Sequence, residues 1–405
     1  MNGRRLLLLT PGFAADERDH NCIPPLQLLV REFLKKGVDV QIVALEYPFT
    51  HKPYFWNGAE VFPCNGQNRR WLKPRTIWRA MNFCHQILDA WEEQSLSANA
   101  PSRLGVTITN HQSSINNQQS SIINHPSTIH SFWLGWASGV GERVARRRDI
   151  PHFTTLMGQD VLPQNRKHLK SLSPERCERL IALSDFQNDA LQTSTSAHDF
   201  SRGNGNGNGN GNADGNANTR AYRAAHIIPW GIPESEIPAA LPTERPLDVL
   251  GAGALIRVKN WEKWLETVAI AAQQMPRLQA ELIGEGPELG KLQTLARKLG
   301  VEKNVRFAGA LPRAEVLARM REAKVLLHTS DFESYGFVLA EAAMSGARIV
   351  GTPVGVAPEM GGRCAESEEG LAALLLESLA EPVLRKPFAP YKMSEVAERY
   401  LELDP

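Results

Sequence analysis

The sequence predicts an α/β protein made of two domains, each a doubly wound parallel sheet, and three observations lead to this prediction. The chain has 405 residues, too many for one ordinary core, and 42% of them are apolar. Short apolar runs alternate with helical patterns in both halves of the chain. Between the two series lie residues 234–245, a linker-like segment in a stretch with prolines at positions 238, 242 and 246. We therefore place a domain boundary near residue 235.

In the first half, apolar runs closed by proline or glycine predict buried strands, and helical spacing of apolar residues predicts the helices between them. The predicted elements are, in order, strand 6–10, helix 23–36, strand 38–45, strand 129–132, helix 137–148, strand 152–156, the segment 174–184, and strand 226–229. Strands joined through helices call for a parallel sheet with right-handed crossovers.

The second half alternates more regularly, with short loops marked by glycine. Its predicted elements are strand 247–251, helix 261–274, strand 279–284, helix 288–299, strand 305–309, helix 313–322, strand 324–329, helix 336–345, strand 347–351, and the helices 368–381 and 393–403. Ligands of open parallel sheets bind beyond the carboxyl ends of the strands. We therefore expect the functional site in the loops that follow these strands.

Two polar segments interrupt the first half. Residues 108–128 contain a seven-residue repeat with one or two isoleucines in each copy, which gives no seam for a coiled coil. Residues 199–219 are mostly Gly and Asn, a composition that cannot offset the entropy cost of ordering. We interpret both as polar insertions within the domain 1–234.

Charge and cysteine content exclude several classes of function. The 45 Lys and Arg residues nearly balance the 44 Asp and Glu residues, so no chain-wide field favours nucleic acid. The five cysteines are odd in number and scattered, which favours a reducing compartment, and we expect a cytoplasmic protein. Histidines and cysteines show no metal-ligand spacing, so we expect no metal. The four leucines near the start are too few for a secretory signal.

The stretch from Glu333 to Glu341 carries the most informative chemistry. The two carboxylates lie eight residues apart across a predicted strand-to-helix turn, and eight helical steps advance about 12 Å, comparable to a diphosphate with a sugar ring at each end. Gly336 permits close backbone approach, and the N–H groups that begin the following helix can bind an anion. A purely structural alternative is that Glu333 caps the helix and Glu341 is a solvated charge.

This stretch, with Tyr335 and Phe337 inside it and residues 342–359 after it, resembles the Glu-x7-Glu signature of family 4 retaining, nucleotide-sugar-dependent glycosyltransferases, the glycosyl transferases group 1. The resemblance covers most of residues 129–200 and 226–360. It implies the GT-B fold, in which two Rossmann-like domains face a central cleft. It also implies that Glu333 contacts the donor sugar, Glu341 the ribose hydroxyls, and the Gly336 and Phe337 N–H groups the diphosphate. We expect Tyr335 to be a donor-binding residue as well.

The same resemblance assigns domains 1–234 on the acceptor side and 235–385 on the donor side, with a helix in 386–405 that returns to the first domain. The segment 251–260, which contains Gly253, looks like the family's phosphate clamp. Lys259 matches the clamp lysine, but Ala254 replaces the usual arginine, and we expect Arg257 to substitute for it. The loops around residues 283–287 and Gly309 resemble those near the nucleotide base.

On the acceptor side, Gly12 stands in the place of the family's glycine-rich loop, although a tight turn explains it equally well. His130 and Asp160 resemble residues that line the acceptor site. His130 also ends the seven-residue repeat, and its structural alternative is a histidine packed in the core. The structural alternative for Asp160 is that it caps the next segment. Met157 stands where the family usually has histidine, which removes one group able to move a proton.

The leading prediction is a metal-independent retaining glycosyltransferase without a cofactor, whose donor is a nucleotide diphosphate sugar. Its acceptor is a glycan, a lipid-linked molecule or a small molecule. The alternatives are a non-catalytic nucleotide-sugar-binding protein and, less favoured, a GT-B nucleotide-sugar epimerase. An aromatic and basic region around Trp78 has two interpretations: peripheral contact with the inner face of the membrane, or ordinary packing between a loop and a helix.

Overall fold

The structure of the protein is a computed structural model, and it describes residues 4–19, 22–67, 72–98, 127–162, 174–196 and 224–403. The predicted insertion 199–219 lies outside the described residues. The insertion predicted at 108–128 also lies outside them up to residue 126. Its last two residues, Ser127 and Thr128, instead begin a strand of the first sheet.

An eight-stranded sheet organises the first half of the chain. Its strands are β1 (Arg5–Gly12), β2 (Asp39–Tyr47), β3 (Tyr54–Trp56), β4 (Ala59–Pro63), β5 (Ser127–Phe132), β6 (His152–Thr155), β7 (Leu180–Ala182) and β8 (His226–Ile227). They lie in the order β3-β4-β2-β1-β5-β6-β7-β8, and every pair except β3 with β4 is parallel. The helices of this half are α1 (Pro24–Lys35), α2 (Pro74–Ala98), α3 (Trp136–Arg148), α4 (Pro174–Cys177) and α5 (Asp185–Ser196).

A second sheet, with six parallel strands, organises the other half. Its strands are β9 (Leu247–Ala252), β10 (Ala280–Ile283), β11 (Val305–Gly309), β12 (Ala323–His328), β13 (Arg348–Gly351) and β14 (Arg363–Cys364), in the order β11-β10-β9-β12-β13-β14. The helices are α6 (Trp261–Gln274), α7 (Leu289–Lys298), α8 (Arg313–Glu322), α9 (Phe337–Met344), α10 (Glu368–Ala380) and α11 (Met393–Glu402). This order is that of the Rossmann fold, with the reversal between the neighbours β9 and β12.

Four elements of the first half were not predicted from the sequence, namely the strands β3 and β4 and the helices α2 and α5. Strands β3 and β4 form a hairpin through Asn57 and Gly58, whose φ angles of 49° and 97° are those of a primed two-residue turn. Helix α2 begins at Pro74, a residue that favours the first helical position because its ring presets φ. The hairpin and helix α2 therefore have local sequence signals.

The linker and the last helix connect the two halves. The buried guanidinium of Arg245 donates to the carbonyl oxygens of Ala323 at 2.7 Å and Ser345 at 2.8 Å, which fixes the end of the linker to the second half. Helix α11 returns to the first half, where Tyr400 packs edge-on against Phe33 of α1 with ring centroids 6.3 Å apart. The tail thus buries its apolar face against the first domain.

Candidate active site

The reversal of strand order in the second sheet brings two loops together at the carboxyl edge. Residues 253–260 follow β9, and residues 329–336 follow β12. Asn260 Nδ2 donates to Asp331 Oδ1 at 2.8 Å, and the Asp331 N–H donates to the Val258 carbonyl at 2.9 Å. These bonds hold the predicted phosphate-clamp loop against the predicted Glu-x7-Glu loop.

Glu333 lies where the two loops meet, and three donors converge on its Oε1 atom. Lys259 Nζ forms an ion pair with it, Ser330 Oγ donates at 2.9 Å, and His328 Nε2 lies 3.2 Å away. Burial acts to raise the pKa of this carboxyl, but the His328 hydrogen bond and the Lys259 charge outweigh it and lower the pKa to about 2. Glu333 is therefore a carboxylate at neutral pH.

Gly336 and Phe337 form the start of α9 beside Glu333. Gly336 has a φ of 83°, and a Cβ atom at this position would lie 2.7 Å from Leu339 Cδ1, so a side chain would be both strained and crowded. The first N–H groups of a helix have no partner within the helix and can bind an anion. Tyr335, a predicted donor-binding residue, is buried instead, and its hydroxyl donates to the Trp230 carbonyl oxygen.

Glu341 lies in the second turn of α9, and its partner is a residue that was not predicted from the sequence. Arg313 Nε donates to Glu341 Oε1 at 2.8 Å, and the two terminal nitrogens of Arg313 bind Glu236 at 2.6 and 2.7 Å. Burial raises the pKa of Glu341 to about 7, although the charge of Arg313 acts to lower it.

Glu341 borders a cavity of about 360 Å³ that opens at the carboxyl edge of the sheet. Most of its walls are apolar, and its charged lining comes from Glu341 and Arg313. The lining residues include Ala252, Gly253, Ile283, Gly284, Ala310, Leu311, Val316, Phe337 and Val338, with Pro24 and Pro25 from the first half. An apolar cavity with few convergent polar groups is typical of a small-molecule site.

Close backbone contacts shape one wall of this cavity. A Cβ atom on Gly284 would lie 1.8 Å from the Gly253 carbonyl oxygen, so only glycine fits there. The Gly284 N–H donates to the Gly309 carbonyl at 2.9 Å, which places Gly309 at the rim beside the cavity-lining Ala310. The structure thus brings Gly253 and Gly309 to the same cavity as Glu341.

The structure does not bring Arg257 to this cluster. Its side chain is exposed on a 3-10 turn, and its charge acts on Lys291 at the start of α7. Ala254 is exposed as well, and its carbonyl accepts a hydrogen bond from Trp261 Nε1 at 2.9 Å. Of the two clamp-loop cations named from the sequence, Lys259 is the one that reaches Glu333.

The predicted acceptor-side residues lie in the first half but do not form one cluster. His130 is buried in the core, where its ring stacks on Phe153 at 5.3 Å and lies 5.9 Å from Tyr400, and burial lowers its pKa to about 3. Gly12 is the last residue of β1, and a Cβ atom placed on it would lie 3.5 Å from Tyr47 Cβ. His130 therefore fits the structural alternative, a packed histidine.

Asp160 organises two loops at the carboxyl edge of the first sheet. Its Oδ2 accepts hydrogen bonds from the Met157 N–H at 2.7 Å and the Leu134 N–H at 3.0 Å, and burial raises its pKa to about 7. Met157 itself is buried. The next N–H, that of Gly158, donates to Ser334 Oγ at 3.0 Å, so these loops reach the Glu-x7-Glu loop of the second half.

Several contributors to the site had no sequence signal. His328 and Ser330 flank the end of β12, Ser334 joins the two halves, and Arg313 and Glu236 are 77 residues apart. Within the described ranges, no group of three or more His, Cys, Asp or Glu side chains is arranged to hold a metal ion. Of the helices that the structure describes, none is long and apolar enough to span a membrane.

Comparison with known proteins finds a family model that matches most of the second half. Residues 234–363 match the family model described as glycosyl transferases group 1. The chain is 33% identical over 112 residues to N-acetyl-alpha-D-glucosaminyl L-malate synthase of Bacillus anthracis, covering 26% of this chain and 29% of that protein. It is 33% identical over 113 residues to D-inositol 3-phosphate glycosyltransferase of Corynebacterium jeikeium (strain K411), covering 26% of this chain and 27% of that protein. The matched region spans less than a third of either relative.

Solved structures resemble nearly the whole chain. Sucrose-phosphate synthase from Thermosynechococcus elongatus is similar with a TM-score of 0.64 and 14% identity, over 99% of this chain and 98% of that one. Anabaena HepE, solved in complex with UDP and glucose, gives a TM-score of 0.59 and 15% identity, over 98% of each chain. These similarities confirm the predicted GT-B fold of two parallel-sheet halves.

Proposed function

We propose that the chain, whose residues 234–363 match the glycosyl transferases group 1 family model, transfers a sugar from a nucleotide diphosphate sugar to an acceptor. The observation that carries this proposal is the convergence of Glu333, Lys259 and the N-terminus of α9 at the strand reversal, with Glu341 on the adjoining cavity. This arrangement offers carboxylates to the hydroxyl groups of such a donor and positive charge to its diphosphate.

Each part of the donor has a partner in the proposed complex. The nucleoside occupies the 360 Å³ cavity with its ribose hydroxyls at Glu341. The diphosphate accepts hydrogen bonds from the Gly336 and Phe337 N–H groups. The sugar ring lies at Glu333, whose carboxylate accepts hydrogen bonds from the sugar hydroxyls. Lys259 then exchanges its ion pair with Glu333 for one with the diphosphate.

The chemical step in this proposal depends on charge stabilisation. Negative charge develops on the diphosphate as the sugar leaves, and Lys259 and the helix N-terminus are oriented towards it before the reaction. We propose that the leaving phosphate accepts the proton of the acceptor hydroxyl on the same face of the sugar, which retains the anomeric configuration. The positive charge at the diphosphate comes from the protein itself, so the proposal includes neither a metal nor a cofactor.

We propose a glycan, a lipid-linked molecule or a small molecule as acceptor, bound on the side of the first half. An aromatic-basic face, formed by Phe49, His51, Arg75, Trp78 and Arg79, supports membrane contact of a cytoplasmic protein if the acceptor is lipid-linked. Phe49 and Trp78 are 57% and 66% exposed, and Arg79 lies 2.7 Å from His51 Nδ1. Cosedimentation with anionic but not zwitterionic vesicles, lost in W78A, would support this contact.

Thermal unfolding with a panel of nucleoside diphosphates and nucleotide sugars tests the proposed donor. A ligand at about 100 times its Kd stabilises the folded state by about 2.7 kcal/mol, which shifts the Tm by several degrees. We expect such a shift with at least one nucleotide and a smaller one for K259A. No shift with any nucleotide or nucleotide sugar would contradict the proposal.

Two alternatives make different predictions in the same assay. A non-catalytic nucleotide-sugar-binding protein, which Ala254 in the clamp loop and Met157 favour, would show the thermal shift but release no nucleotide with any acceptor. An epimerase would convert the donor sugar without an acceptor. Release of nucleoside diphosphate that depends on an acceptor, together with a product of retained configuration, supports transfer against both.

A further inference from the structure

Arg313 lies at the wall of the proposed nucleoside cavity. An arginine at this position does not stabilise the helix that carries it. It is the first residue of α8, after Pro312 at the N-cap. Positive charge at a helix N-terminus opposes the helix dipole, so a cation in this position is unfavourable for the helix. Two carboxylates from other elements compensate for it, and both contacts are partly buried.

The guanidinium binds the two carboxylates through different edges. Its terminal nitrogens form a bidentate pair with Glu236 at 2.6 and 2.7 Å, while Nε donates to Glu341 Oε1 at 2.8 Å. The guanidinium carbon also lies 5.8 Å from the centre of the Phe337 ring. A planar group held on three sides has one orientation, and it therefore fixes the orientation of the Glu341 carboxylate.

The contact with Arg313 leaves one oxygen of the Glu341 carboxylate available for a ligand. Its side chain is 10% exposed, and among the described residues Oε1 takes the Arg313 bond while Oε2 accepts no hydrogen bond. Since Glu341 borders the cavity, Oε2 is free for a hydroxyl group of a ligand. Without Arg313, Glu341 would be a buried carboxylate without a cation beside it, in a cavity whose other walls are mostly apolar.

Glu236 connects this arrangement to the linker between the two halves. It ends a short 3-10 turn, Glu234–Glu236, between β8 and β9. A neutral ribose hydroxyl adds no charge to the group formed by Glu236, Arg313 and Glu341. The linker therefore takes part in positioning a carboxylate of the donor cavity.

We propose that Arg313 is a positioning residue for the ribose hydroxyls of the donor, held by Glu236 and acting through Glu341. The proposal deepens the proposed function and rests on it. It makes Arg313 and Glu236 responsible for the ability of the cavity to distinguish a ribose from a ring without hydroxyl groups. A residue that only supports the fold would affect both kinds of ligand equally.

The test compares UDP with 2′,3′-dideoxy-UDP by titration calorimetry on the full chain, with the guanosine and adenosine pairs run in parallel. For the wild type we expect the hydroxyl-bearing nucleotide to bind at least about tenfold more tightly than the dideoxy form, because the dideoxy form lacks the hydroxyls that hydrogen-bond to a charged group. In R313A the ratio should fall towards one, mainly by weaker binding of the ribose form. R313K, which keeps the charge but loses the fork, should give an intermediate ratio.

R319A is the matched control, because Arg319 lies on the same helix and pairs with Glu322 and Glu281 away from the cavity. Its binding ratio should equal that of the wild type. E236Q should lower the ratio, which keeps the inference testable if R313A does not fold. Thermal unfolding of each variant confirms that it is folded.

Two results would overturn the inference while leaving the proposed function intact. One is an unchanged ratio in R313A and E236Q, whether both affinities are kept or both fall equally. The other is equal binding of the two ligands by the wild type. If the wild type binds no nucleoside diphosphate and no nucleotide sugar, the proposed function fails and this inference fails with it.

Discussion

At the scale of single residues, a polar cluster can act on a ligand only if its side chains are accessible at the cleft. Glu333 has three donors on one oxygen and lies at the meeting point of two loops. Ser131, His152 and Glu142 also form a chain of contacts, at 2.8 and 3.3 Å, that resembles a hydrolytic triad. Ser131 is fully buried beneath Gly141, however, so this chain ties α3 to the sheet and offers no nucleophile.

The substitution E333Q should reduce transfer by about 100-fold or more while the protein stays folded, because it removes the charge that we propose lies next to the donor sugar. Product formation under saturating donor measures the effect. E281Q is the control, since Glu281 is a buried carboxylate paired with Arg306 and Arg319 outside the cavity. Full activity of E333Q would show that Glu333 has no role in the reaction.

Donor binding should weaken as the pH is lowered through about 7, because burial raises the pKa of Glu341 to about 7 and protonation removes an acceptor for ribose hydroxyls. The stability effect has the opposite sign. The folded protein binds this proton more tightly than the unfolded chain, so Glu341 contributes stability below pH about 4.3 that is lost as the pH rises through 7.

Titration of the donor nucleotide sugar at several pH values between about 6 and 8 measures the binding effect. E341Q should bind the donor more weakly and without this pH dependence. The same pH dependence in E341Q would assign the titration to another group, such as Asp160, whose pKa burial also raises to about 7.

At the scale of elements, the site depends on how α9 begins. The left-handed conformation of Gly336 turns the chain from the Glu333 loop into the helix, so that the N–H groups of residues 336 and 337 begin the helix next to that loop. The loop after β9 meets it through hydrogen bonds between Asn260 and Asp331. A shift of either loop would separate Lys259 from Glu333.

G336A should lower donor affinity and destabilise the protein by about 1–3 kcal/mol, because alanine strains the left-handed conformation and crowds Leu339. G300A is the control. Gly300 has a similar φ of 73°, open space within 4 Å of where a Cβ would stand, and a position after α7 away from the cavity. We expect G300A to lose stability but not donor affinity. Equal donor affinity in G336A and the wild type would contradict the role given to the start of α9.

The sequence predicted most elements of the second half because each is a short apolar run or an amphipathic helix between glycines. The predicted helices 261–274 and 313–322 and the strand 305–309 have the observed bounds. The hairpin of β3 and β4 was missed although Asn57 and Gly58 are a strong turn signal. Helix α2 was missed because its aromatic and basic residues also fit a surface region, which obscures its helical spacing.

The site was predictable only where a local motif carries it. Glu333, Gly336 and Glu341 belong to one short stretch, and the structure places them around one helix start. The contact of Arg313 with Glu236 and Glu341 joins residues 77 and 28 positions apart, which no local pattern encodes. Arg257 was expected to act in place of the arginine that the family usually has where this chain has Ala254. That expectation depends on where a loop side chain points, and the Arg257 side chain is exposed in the structure.

At the scale of the whole molecule, the two halves meet at the Glu-x7-Glu loop. Ser334 accepts a hydrogen bond from the Gly158 N–H at 3.0 Å through its hydroxyl, and its carbonyl accepts one from Ser184 Oγ at 2.6 Å. Phe332 packs against Phe186 with ring centroids 5.6 Å apart. The loop that carries Glu333 is therefore braced by the half that we assign to the acceptor.

S334A should lower the rate of transfer at saturating donor by about fivefold, which corresponds to the loss of one neutral hydrogen bond, and should leave the donor Kd unchanged. The contact lies between the halves, so we expect it to affect their alignment for transfer and not the nucleoside cavity. T294A on the exposed face of α7 is the control. A weaker donor Kd with an unchanged rate would contradict this assignment.

The central claim is that the cleft at the strand reversal binds a nucleotide sugar between Lys259, the start of α9 and the two glutamates. A crystal structure with the nucleoside diphosphate that stabilises the protein most tests it directly. We expect the diphosphate within hydrogen-bond distance of the Gly336 and Phe337 N–H groups and of Lys259 Nζ, and the ribose hydroxyls at Glu341. A nucleotide bound elsewhere, with the Lys259–Glu333 pair intact, would contradict the claim.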